Sequence, residues 1–269
     1  MKQVIATIVA KGEPIQGLER PHRRSIRFSQ MIKLNCPGIA REAKPGQFVM
    51  VSCGDKCVLP RPFSIHHIND RSDVSLYLAV LEGGKGTDWL AQCNIGDSVE
   101  LFGPLGNGYF IEPTSRNLLL VAGGMGIAPL YFLAQEAVEK RLSVTLLYGT
   151  TTKNPYHEEF PGIRLVRATE DGTVGHRGII TDLIVDYVDK ADQIFSCGSV
   201  PMYYGMALNR KELGLKGKPV QVSLEVRMGC GWGVCYGCTI KTKKGLKQVC
   251  TDGPVFDLDD ILWDELSYL

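Results

Sequence analysis

Four of the nine cysteines have a spacing that could hold a metal centre. Cys230, Cys235 and Cys238 form a C-x4-C-x2-C run, and Cys250 follows on a later stretch of chain. This spacing is typical of plant-type 2Fe-2S clusters, in which cysteine thiolates bind two irons. Several glycines lie between these cysteines, and backbone without a Cβ can approach the sulfurs closely and direct N–H groups at their negative charge.

Two other uses of these cysteines compete with the iron-sulfur interpretation. A zinc site usually takes paired C-x2-C motifs, whereas this sequence has one such pair and two single cysteines at unequal distances. A disulfide scaffold fits poorly in a chain of 269 residues without a signal peptide. The iron-sulfur interpretation is favoured, and zinc is the main alternative.

A glycine-rich stretch, Gly123-Gly-Met-Gly-Ile-Ala-Pro129, lies between an apolar run and a helical pattern. In that position backbone N–H groups and a helix N-terminus can hold a pyrophosphate, so Gly123, Gly124 and Gly126 are candidate nucleotide-binding residues. The stretch departs from the dinucleotide-binding fingerprint, because Pro129 replaces the third glycine and no acidic residue ends the second strand. An ordinary tight turn between strand and helix is the alternative.

A second group of candidates lies in the first half of the chain. Arg61-Pro-Phe-Ser64 places a guanidinium three residues from a hydroxyl on a predicted strand, so Arg61 could bind a phosphate and Ser64 a ring edge. A surface arginine before a strand is the alternative. The glycine-rich turn at residues 83–87 is another candidate phosphate site. Two phosphate-type sites in successive domains predict two nucleotides.

Composition limits the classes of partner. The formal net charge is +1, from 30 basic and 29 acidic residues, so neither nucleic acid nor an anionic membrane is expected as a partner. No stretch approaches the roughly 20 apolar residues of a membrane span, and we expect a cytoplasmic protein. In a reducing compartment the five cysteines outside the motif are expected to be small buried hydrophobes.

The pattern of apolar residues changes after the first hundred residues. Short β-branched runs separated by turns predict an antiparallel barrel, with one short helix near residues 87–91. Continuous apolar runs that alternate with helical patterns then predict a parallel sheet covered on both faces. These runs are Asn117 to Ala122, Ser143 to Tyr148, Ile163 to Ala168 and Gln193 to Cys197, and Val220 to Val226 leads into the cysteine loop. The predicted domains are 1–105, a barrel; 106–222, a nucleotide-binding α/β domain; and 223–269, a cluster-binding segment.

Taken together, these motifs resemble the ferredoxin-reductase group of FAD and pyridine-nucleotide enzymes. The sequences Ser223-Leu-Glu-Val-Arg-Met-Gly-Cys-Gly and Val249-Cys-Thr-Asp-Gly-Pro-Val-Phe256 resemble more specifically the family of electron-transfer subunits of dihydroorotate dehydrogenase B. The resemblance covers essentially the whole chain. It implies that the N-terminal barrel binds FAD, that the α/β domain binds NAD as a substrate, and that the C-terminal loop holds a 2Fe-2S cluster.

The resemblance also implies roles for individual residues. Cys197 matches the strand end beside the nicotinamide, although core packing would equally account for a cysteine there. The other matching positions are Arg61, Pro62, Phe63 and Ser64 in the flavin segment, Leu78, Ala79 and Val80 in a strand along the FAD, Gly86 and Thr87 in the pyrophosphate turn, and Cys230, Cys235, Cys238 and Cys250 as cluster ligands.

The implied function is electron transfer in pyrimidine biosynthesis. Electrons would come from an FMN-containing dihydroorotate dehydrogenase catalytic subunit, in a heterotetramer of two of each chain, and pass through the cluster and FAD to NAD⁺. That partner would dock around the cluster loop, where Trp232 and Tyr236 either face outward or pack over the sulfurs. The alternatives are the related subunit of NADH-dependent ferredoxin:NADP⁺ oxidoreductase or of sulfide dehydrogenase, or a redox-sensing protein without catalysis.

Overall fold

The computed structural model describes residues 2–16, 25–152 and 161–266. The strands are β1 (Lys2–Lys11), β2 (Ile26–Asn35), β3 (Phe48–Val51), β4 (Arg61–Asn69), β5 (Asp73–Leu81), β6 (Ser98–Leu105), β7 (Asn117–Gly123), β8 (Ser143–Thr150), β9 (Ile163–Thr169), β10 (His176–Arg177), β11 (Gln193–Cys197), β12 (Val220–Ser223), β13 (Thr239–Thr242), β14 (Gly245–Gln248) and β15 (Val255–Asp257). The α-helices are α1 (Pro37–Ala40), α2 (Lys85–Gln92), α3 (Ile127–Glu139), α4 (Ile184–Tyr187) and α5 (Val200–Leu208). Short 3-10 turns lie at Gly124–Gly126, Ile180–Leu183, Val188–Lys190 and Trp263–Leu266.

The first six strands form a closed antiparallel barrel in the order β1-β2-β5-β4-β3-β6. Its interior is filled by side chains such as Ile8, Leu34 and Leu76, which are fully buried. The predicted barrel is confirmed. The runs Ser25 to Phe28 and Met31 to Leu34, which the sequence pattern separates, are joined in the single strand β2, which begins at Ile26. Ser29 and Gln30 between them are also buried, and the Ser29 hydroxyl hydrogen-bonds to that of Tyr77 at 2.6 Å.

A seven-stranded sheet in the order β10-β9-β8-β7-β11-β12-β15 follows the barrel. Strands β7 to β12 pair in parallel, as predicted, and β15 adds an antiparallel edge beside β12. The central strands are continuous apolar runs because both faces of a parallel sheet are covered. Over the described ranges, no helix is both long enough and apolar enough to cross a membrane.

The C-terminal segment is built into this sheet. After β12 the chain runs through the cysteine loop and the β13–β14 hairpin, and it returns to the sheet as β15. Ile240, Val249 and Leu258 of this segment share one apolar core with Val121 and Ile194 of the sheet. The division of the chain at residues 105 and 222 stays a prediction, and the β12–β15 pair spans the second of these boundaries.

The barrel and the sheet domain meet along β4 and α3. His66 on β4 is buried, and its Nδ1 lies 2.8 Å from the carbonyl oxygen of Ala128 in the first turn of α3. A carbonyl can only accept, so Nδ1 carries the proton in this contact. The imidazole also stacks on Tyr131 at 4.6 Å, and burial lowers the pKa of His66 to about 3. These contacts fix β4 of the barrel against the first turn of α3.

Candidate functional site

A cavity of about 1080 Å³ lies where the barrel, the sheet domain and the C-terminal segment meet. Its volume is at the upper end of the range for organic cofactor sites. The barrel contributes residues 61–64 of β4 together with Leu78 and Ala79 of β5, and the sheet domain contributes Met125 and Ala128. The third wall is residues 223–228, which continue from the end of β12.

Arg61, Pro62, Phe63 and Ser64 all line this cavity, so the structure brings the predicted flavin segment together. The Arg61 guanidinium donates to the carbonyl of Leu59 at 2.8 Å. Its side chain passes close to α2, because a Cβ on Gly86 would lie only 2.9 Å from Arg61 Cγ. A glycine at position 86 therefore lets a cationic side chain lie against the beginning of the helix.

The other predicted barrel residues occupy different places. Leu78 and Ala79 line the cavity, whereas Val80 is fully buried in the barrel core. Thr87 joins α2 to the end of β5: its hydroxyl donates to the Gly84 carbonyl at 3.3 Å and accepts the Leu81 N–H at 3.4 Å. Strand β5 thus supplies both residues that line the cavity and a residue that supports them from the barrel core.

The glycine turn at residues 123–126 packs against the end of β11. A Cβ on Gly126 would lie 1.9 Å from the carbonyl oxygen of Cys197, and one on Gly123 would lie 3.0 Å from Met202 Sδ. Gly124 has a positive φ of 53°, and a Cβ there would meet nothing within 4 Å. The turn opens α3 as predicted; glycine is required at position 126 because the Cys197 backbone lies so close, and it is favoured at position 124 by the positive φ.

Cys197 is fully buried at the end of β11. Its thiol lies 3.8 Å from the Ser223 carbonyl oxygen, to which it donates. Burial raises the pKa of the Cys197 thiol well above its ordinary value, and the nearby Glu225 carboxylate raises it further. Cys197 therefore lies beside the cavity wall as a neutral thiol.

The four motif cysteines form two pairs. Cys230 contacts Cys235, and Cys238 contacts Cys250. Cys238 and Cys250 are buried, whereas Cys230 is half-buried and Cys235 is exposed. In the part of the chain that the structure describes, no three His, Cys, Asp or Glu side chains converge on one point as ligands of a single metal ion.

Backbone N–H groups surround the thiols of the first pair. Burial of the Cys230 thiol would raise its pKa, but hydrogen bonds from the N–H groups of Trp232, Cys235 and Val234 lower that pKa to about 6. The Gly237 N–H donates to Cys235 Sγ at 3.5 Å. This environment stabilises negative charge on sulfur, as metal ligation requires.

The cysteine loop presents aromatic and apolar side chains to solvent. Trp232 is 44% exposed and packs edge-on against Phe102 of the barrel, with ring centroids 5.0 Å apart. Tyr236 is 70% exposed, and Val234 and Leu246 are exposed as well. Of the two orientations considered from the sequence, the outward one is observed.

The cavity and the cysteines share a connecting segment. Residues 223–228 wall the cavity, and Cys230 follows Met228 by two positions. Pro254 also lines the cavity, four positions after Cys250. Both arms of chain that carry the cysteines therefore border the space in which a flavin would fit.

Two family descriptions match the chain. Residues 27–110 match an oxidoreductase FAD-binding domain, and residues 225–262 match the iron-sulfur cluster binding domain of dihydroorotate dehydrogenase B. The electron transfer subunit of dihydroorotate dehydrogenase B (NAD(+)) from Caldanaerobacter subterraneus subsp. tengcongensis is 35% identical over 241 residues, which are 87% of this chain and 94% of that protein. The chain belongs to this family of dihydroorotate dehydrogenase B electron transfer subunits.

A second member of the family and two solved structures are also similar to the chain. The Bacillus caldolyticus electron transfer subunit is 38% identical over 229 residues, covering 81% of this chain and 87% of that one. A solved structure of NADH-dependent reduced ferredoxin-NADP oxidoreductase aligns with a TM-score of 0.82 and 29% identity, covering 98% of this chain and 91% of that one. The ferredoxin reductase of carbazole 1,9a-dioxygenase aligns with a TM-score of 0.63 at 22% identity over 82% of this chain and 68% of that one, and it shares the fold.

As a dihydroorotate dehydrogenase B electron transfer subunit, the chain is an oxidoreductase subunit with an FAD-binding and an iron-sulfur binding domain. The site residues that sequence reasoning missed include those of the wall at 223–228, among them Glu225 and Arg227. Their position after the carboxyl end of a parallel strand was the available signal, because ligands bind at that edge of such sheets. Lys153 and Asn154, which bear on nucleotide preference, lie outside the described residues.

Proposed function

We propose that this chain relays electrons from a dihydroorotate-oxidising partner to NAD⁺, with FAD in the cavity and a 2Fe-2S cluster at the four cysteines. The supporting observation is that residues 223–228 wall the cavity and lead directly to Cys230. A bound flavin exchanges electrons singly or in pairs, and so connects one-electron iron-sulfur chemistry with two-electron nicotinamide chemistry. The protein's share of the work is to position these groups.

The cavity fits a flavin dinucleotide in size and in the type of its polar groups. Arg61 would bind the pyrophosphate through charge-assisted hydrogen bonds, with Gly86 and Thr87 shaping the turn beside it. Ser64 would hydrogen-bond to the ring edge, next to Pro62 and Phe63. Leu78 and Ala79 would contact the dinucleotide along β5, and Val80 would support them from the barrel core.

The pairing of the cysteines supports a two-iron centre. In such a centre each iron takes two protein thiolates, which fits Cys230 with Cys235 and Cys238 with Cys250. A structural zinc ion would instead require four ligands converging on one point. The N–H groups that face Cys230 and Cys235 would then hydrogen-bond to the ligating sulfurs.

The pyridine nucleotide would bind on the sheet side of the cavity. Gly123, Gly124 and Gly126 would accommodate its pyrophosphate at the beginning of α3. Cys197 and Gly198 would lie beside the nicotinamide, and Cys197 would contribute shape rather than a reactive thiolate, because burial keeps it neutral.

The partner would be an FMN-containing catalytic subunit, assembled as two copies of each chain. In this proposal the barrel holds the FAD and the sheet domain holds the pyridine nucleotide. Neither domain is then left to bind dihydroorotate, so its oxidation is assigned to the partner. The exposed side chains of Trp232, Val234 and Tyr236 give the cysteine loop an apolar surface of the kind found in the centre of protein interfaces. Docking there would bring the partner close to the cysteines.

The test compares two activities of the purified chain. It is expected to pass electrons from NADH to an artificial acceptor, but to oxidise no dihydroorotate until the catalytic subunit is added. Trp232→Glu is expected to weaken assembly by more than about tenfold while leaving the NADH activity largely intact, because it places a charge in the interface. Leu208→Glu, at an exposed position of α5, is the matched control. Oxidation of dihydroorotate by the chain alone would refute the proposal.

A second candidate function is supported by the similarity to NADH-dependent reduced ferredoxin-NADP oxidoreductase over 98% of the chain. In that case the partner would be the other subunit of such an enzyme rather than a dihydroorotate dehydrogenase. Identification of the chain that co-purifies with this protein distinguishes the two.

The flavin segment leads to a prediction that separates two roles. Arg61→Ala is expected to weaken retention of FAD by about tenfold or more, because a charge-assisted phosphate contact is lost. Ser64→Ala is expected to keep FAD bound and to slow its reduction by NADH. Flavin content after gel filtration and stopped-flow reduction measure the two effects. Equal loss of flavin in both variants would contradict this division of roles.

The nucleotide is expected to be NAD(H) rather than NADP(H). Strand β8 ends at Thr150 and is followed by a stretch that contains Lys153 and no arginine. Only one cationic side chain is therefore available there to bind a 2′-phosphate. We expect kcat/KM for NADH to exceed that for NADPH by about tenfold or more. Steady-state assays with an artificial acceptor measure the ratio, and equal values would contradict the expectation.

A further inference from the structure

The side chain of Tyr203 joins the ends of two neighbouring strands. Tyr203 lies on α5 and is fully buried, with its ring 5.5 Å from that of Trp263. Its hydroxyl accepts the N–H of Gly198 at 2.7 Å and donates to the carbonyl of Ser223 at 2.6 Å. Both distances are those of well-formed hydrogen bonds.

The two strand ends border different parts of the site. Gly198 follows β11 and lies against the glycine turn, because a Cβ on Gly198 would be 3.4 Å from the Cα of Gly123. Ser223 ends β12 and begins the cavity wall that leads to Cys230. The Tyr203 hydroxyl therefore connects the nucleotide side of the site to the arm that carries the first cysteine.

Strand pairing anchors the beginning of this wall, where Ser223 pairs with Cys197 of β11 and Leu224 is buried in the core. The ladder between β12 and β15 ends at the pair Ser223 and Val255, and the Leu224 N–H then bonds to the Pro254 carbonyl at 2.9 Å. Residues 225–228 form no regular secondary structure. Ser223 is thus the last residue of the regular strand and the first residue of the cavity wall.

We propose that Tyr203 is a positioning residue that fixes the cavity wall at residues 223–228 relative to the nucleotide end of β11. It acts through Ser223 and Gly198 and contributes no group to the cavity itself. Without the hydroxyl, the Gly198 N–H loses its acceptor and the Ser223 carbonyl retains the weaker Cys197 thiol as a donor. Beyond the ladder pair of Cys197 with Ser223, both strand ends are then less restrained. The inference rests on the proposed function, since it assigns this geometry to the reaction with NADH.

The experiment compares Tyr203→Phe with Tyr204→Phe in the full chain loaded with its cofactors. Phenylalanine keeps the packing of the ring and removes only the hydroxyl. Tyr204 is the matched control, because it is exposed on the same helix and its hydroxyl donates to Asp264 at 3.0 Å, away from the cavity. Stopped-flow reduction by NADH separates the limiting rate from the apparent affinity, and hydrogen exchange reports on peptides that span Gly198 and Leu224.

Tyr203→Phe is expected to lower the limiting rate of reduction by about tenfold, because a small displacement of the site walls is costly to the reacting geometry. Its FAD and iron contents are expected to match the wild type, and exchange at both peptides is expected to be faster. Tyr204→Phe is expected to leave the rate and the exchange at both peptides unchanged.

Three results would overturn the inference: a Tyr203→Phe limiting rate within about twofold of the wild type, unchanged exchange at the Leu224 peptide, or loss of flavin on purification, which would make Tyr203 a purely structural residue. Failure of the wild-type chain to react with NADH would instead refute the proposed function. The exchange measurement needs no nucleotide, and so still decides whether Tyr203 fixes the wall.

Discussion

Replacement of Cys235 by alanine is expected to abolish partner-dependent electron transfer, by more than about 100-fold, while NADH-driven reduction of an artificial acceptor is largely retained. Cys235 is exposed, so the change removes no core packing. It leaves Cys230 without its paired thiol, and the expected consequence is a loss of bound iron and acid-labile sulfide. Iron and sulfide analysis and the two activity assays measure the effect.

The matched control for this variant is Cys57→Ala. Cys57 lies in the loop between β3 and β4, outside the motif, and its removal is expected to leave iron, sulfide and both activities unchanged. A Cys235→Ala protein that kept full iron and sulfide, and that still accepted electrons from the partner, would show that Cys235 is no ligand. Zinc in place of iron and sulfide in the wild type would overturn the cluster assignment as a whole.

Replacement of Gly126 by alanine is expected to destabilise the sheet domain by about 3 kcal/mol or more. The new Cβ would lie 1.9 Å from the carbonyl oxygen of Cys197 and 2.3 Å from its carbonyl carbon. Because both atoms belong to backbone, no rotation of a side chain can relieve the overlap, and either the beginning of α3 or the end of β11 has to move. Thermal unfolding is expected to show a Tm lower by about 6–12 °C.

Gly205→Ala provides the control for this effect. Gly205 lies within α5, and a Cβ there would meet nothing within 4 Å, so alanine is expected to be neutral or stabilising by up to about 1 kcal/mol. A Gly126→Ala protein with the wild-type Tm would contradict the close packing of the glycine turn on β11. We also expect Gly126→Ala to weaken binding of NADH, because the turn lies beside the cavity.

The sequence predicts the parallel sheet well because its strands are buried on both faces. Residues 117–122 and 143–148 read as continuous apolar runs, and β7 and β8 lie there with small extensions. Strand β15 was missed, since three residues at a sheet edge carry no recognisable period. The run from Val220 to Val226 leads into the cysteine loop as predicted, but it is a strand only as far as Ser223: the Leu224 N–H bonds to the Pro254 carbonyl outside the ladder, and the chain becomes the cavity wall.

The candidate site was predictable only where chemistry imposes a spacing. The cysteine motif and the Arg61 to Ser64 segment are local, so one-dimensional patterns reveal them. The wall at 223–228 and the bridging hydroxyl of Tyr203 depend on which strand ends become neighbours, and sheet order is a long-range property. The FAD, the NAD and the partner subunit were predicted from the resemblance to a family, because patterns of charge and burial do not identify a particular cofactor or partner.

The pairing of β12 with β15 bears on how the mature protein is assembled. In many small metal-binding domains the metal itself drives folding, because the chain has too little core without it. Here both ends of the cysteine segment are hydrogen-bonded into a large sheet, and its apolar residues Ile240, Val249 and Leu258 share that sheet's core. The strand pairing and the apolar core of this segment therefore do not depend on its cysteines. We therefore expect the chain to fold first and to bind iron afterwards, so that metal binding is not what drives its folding.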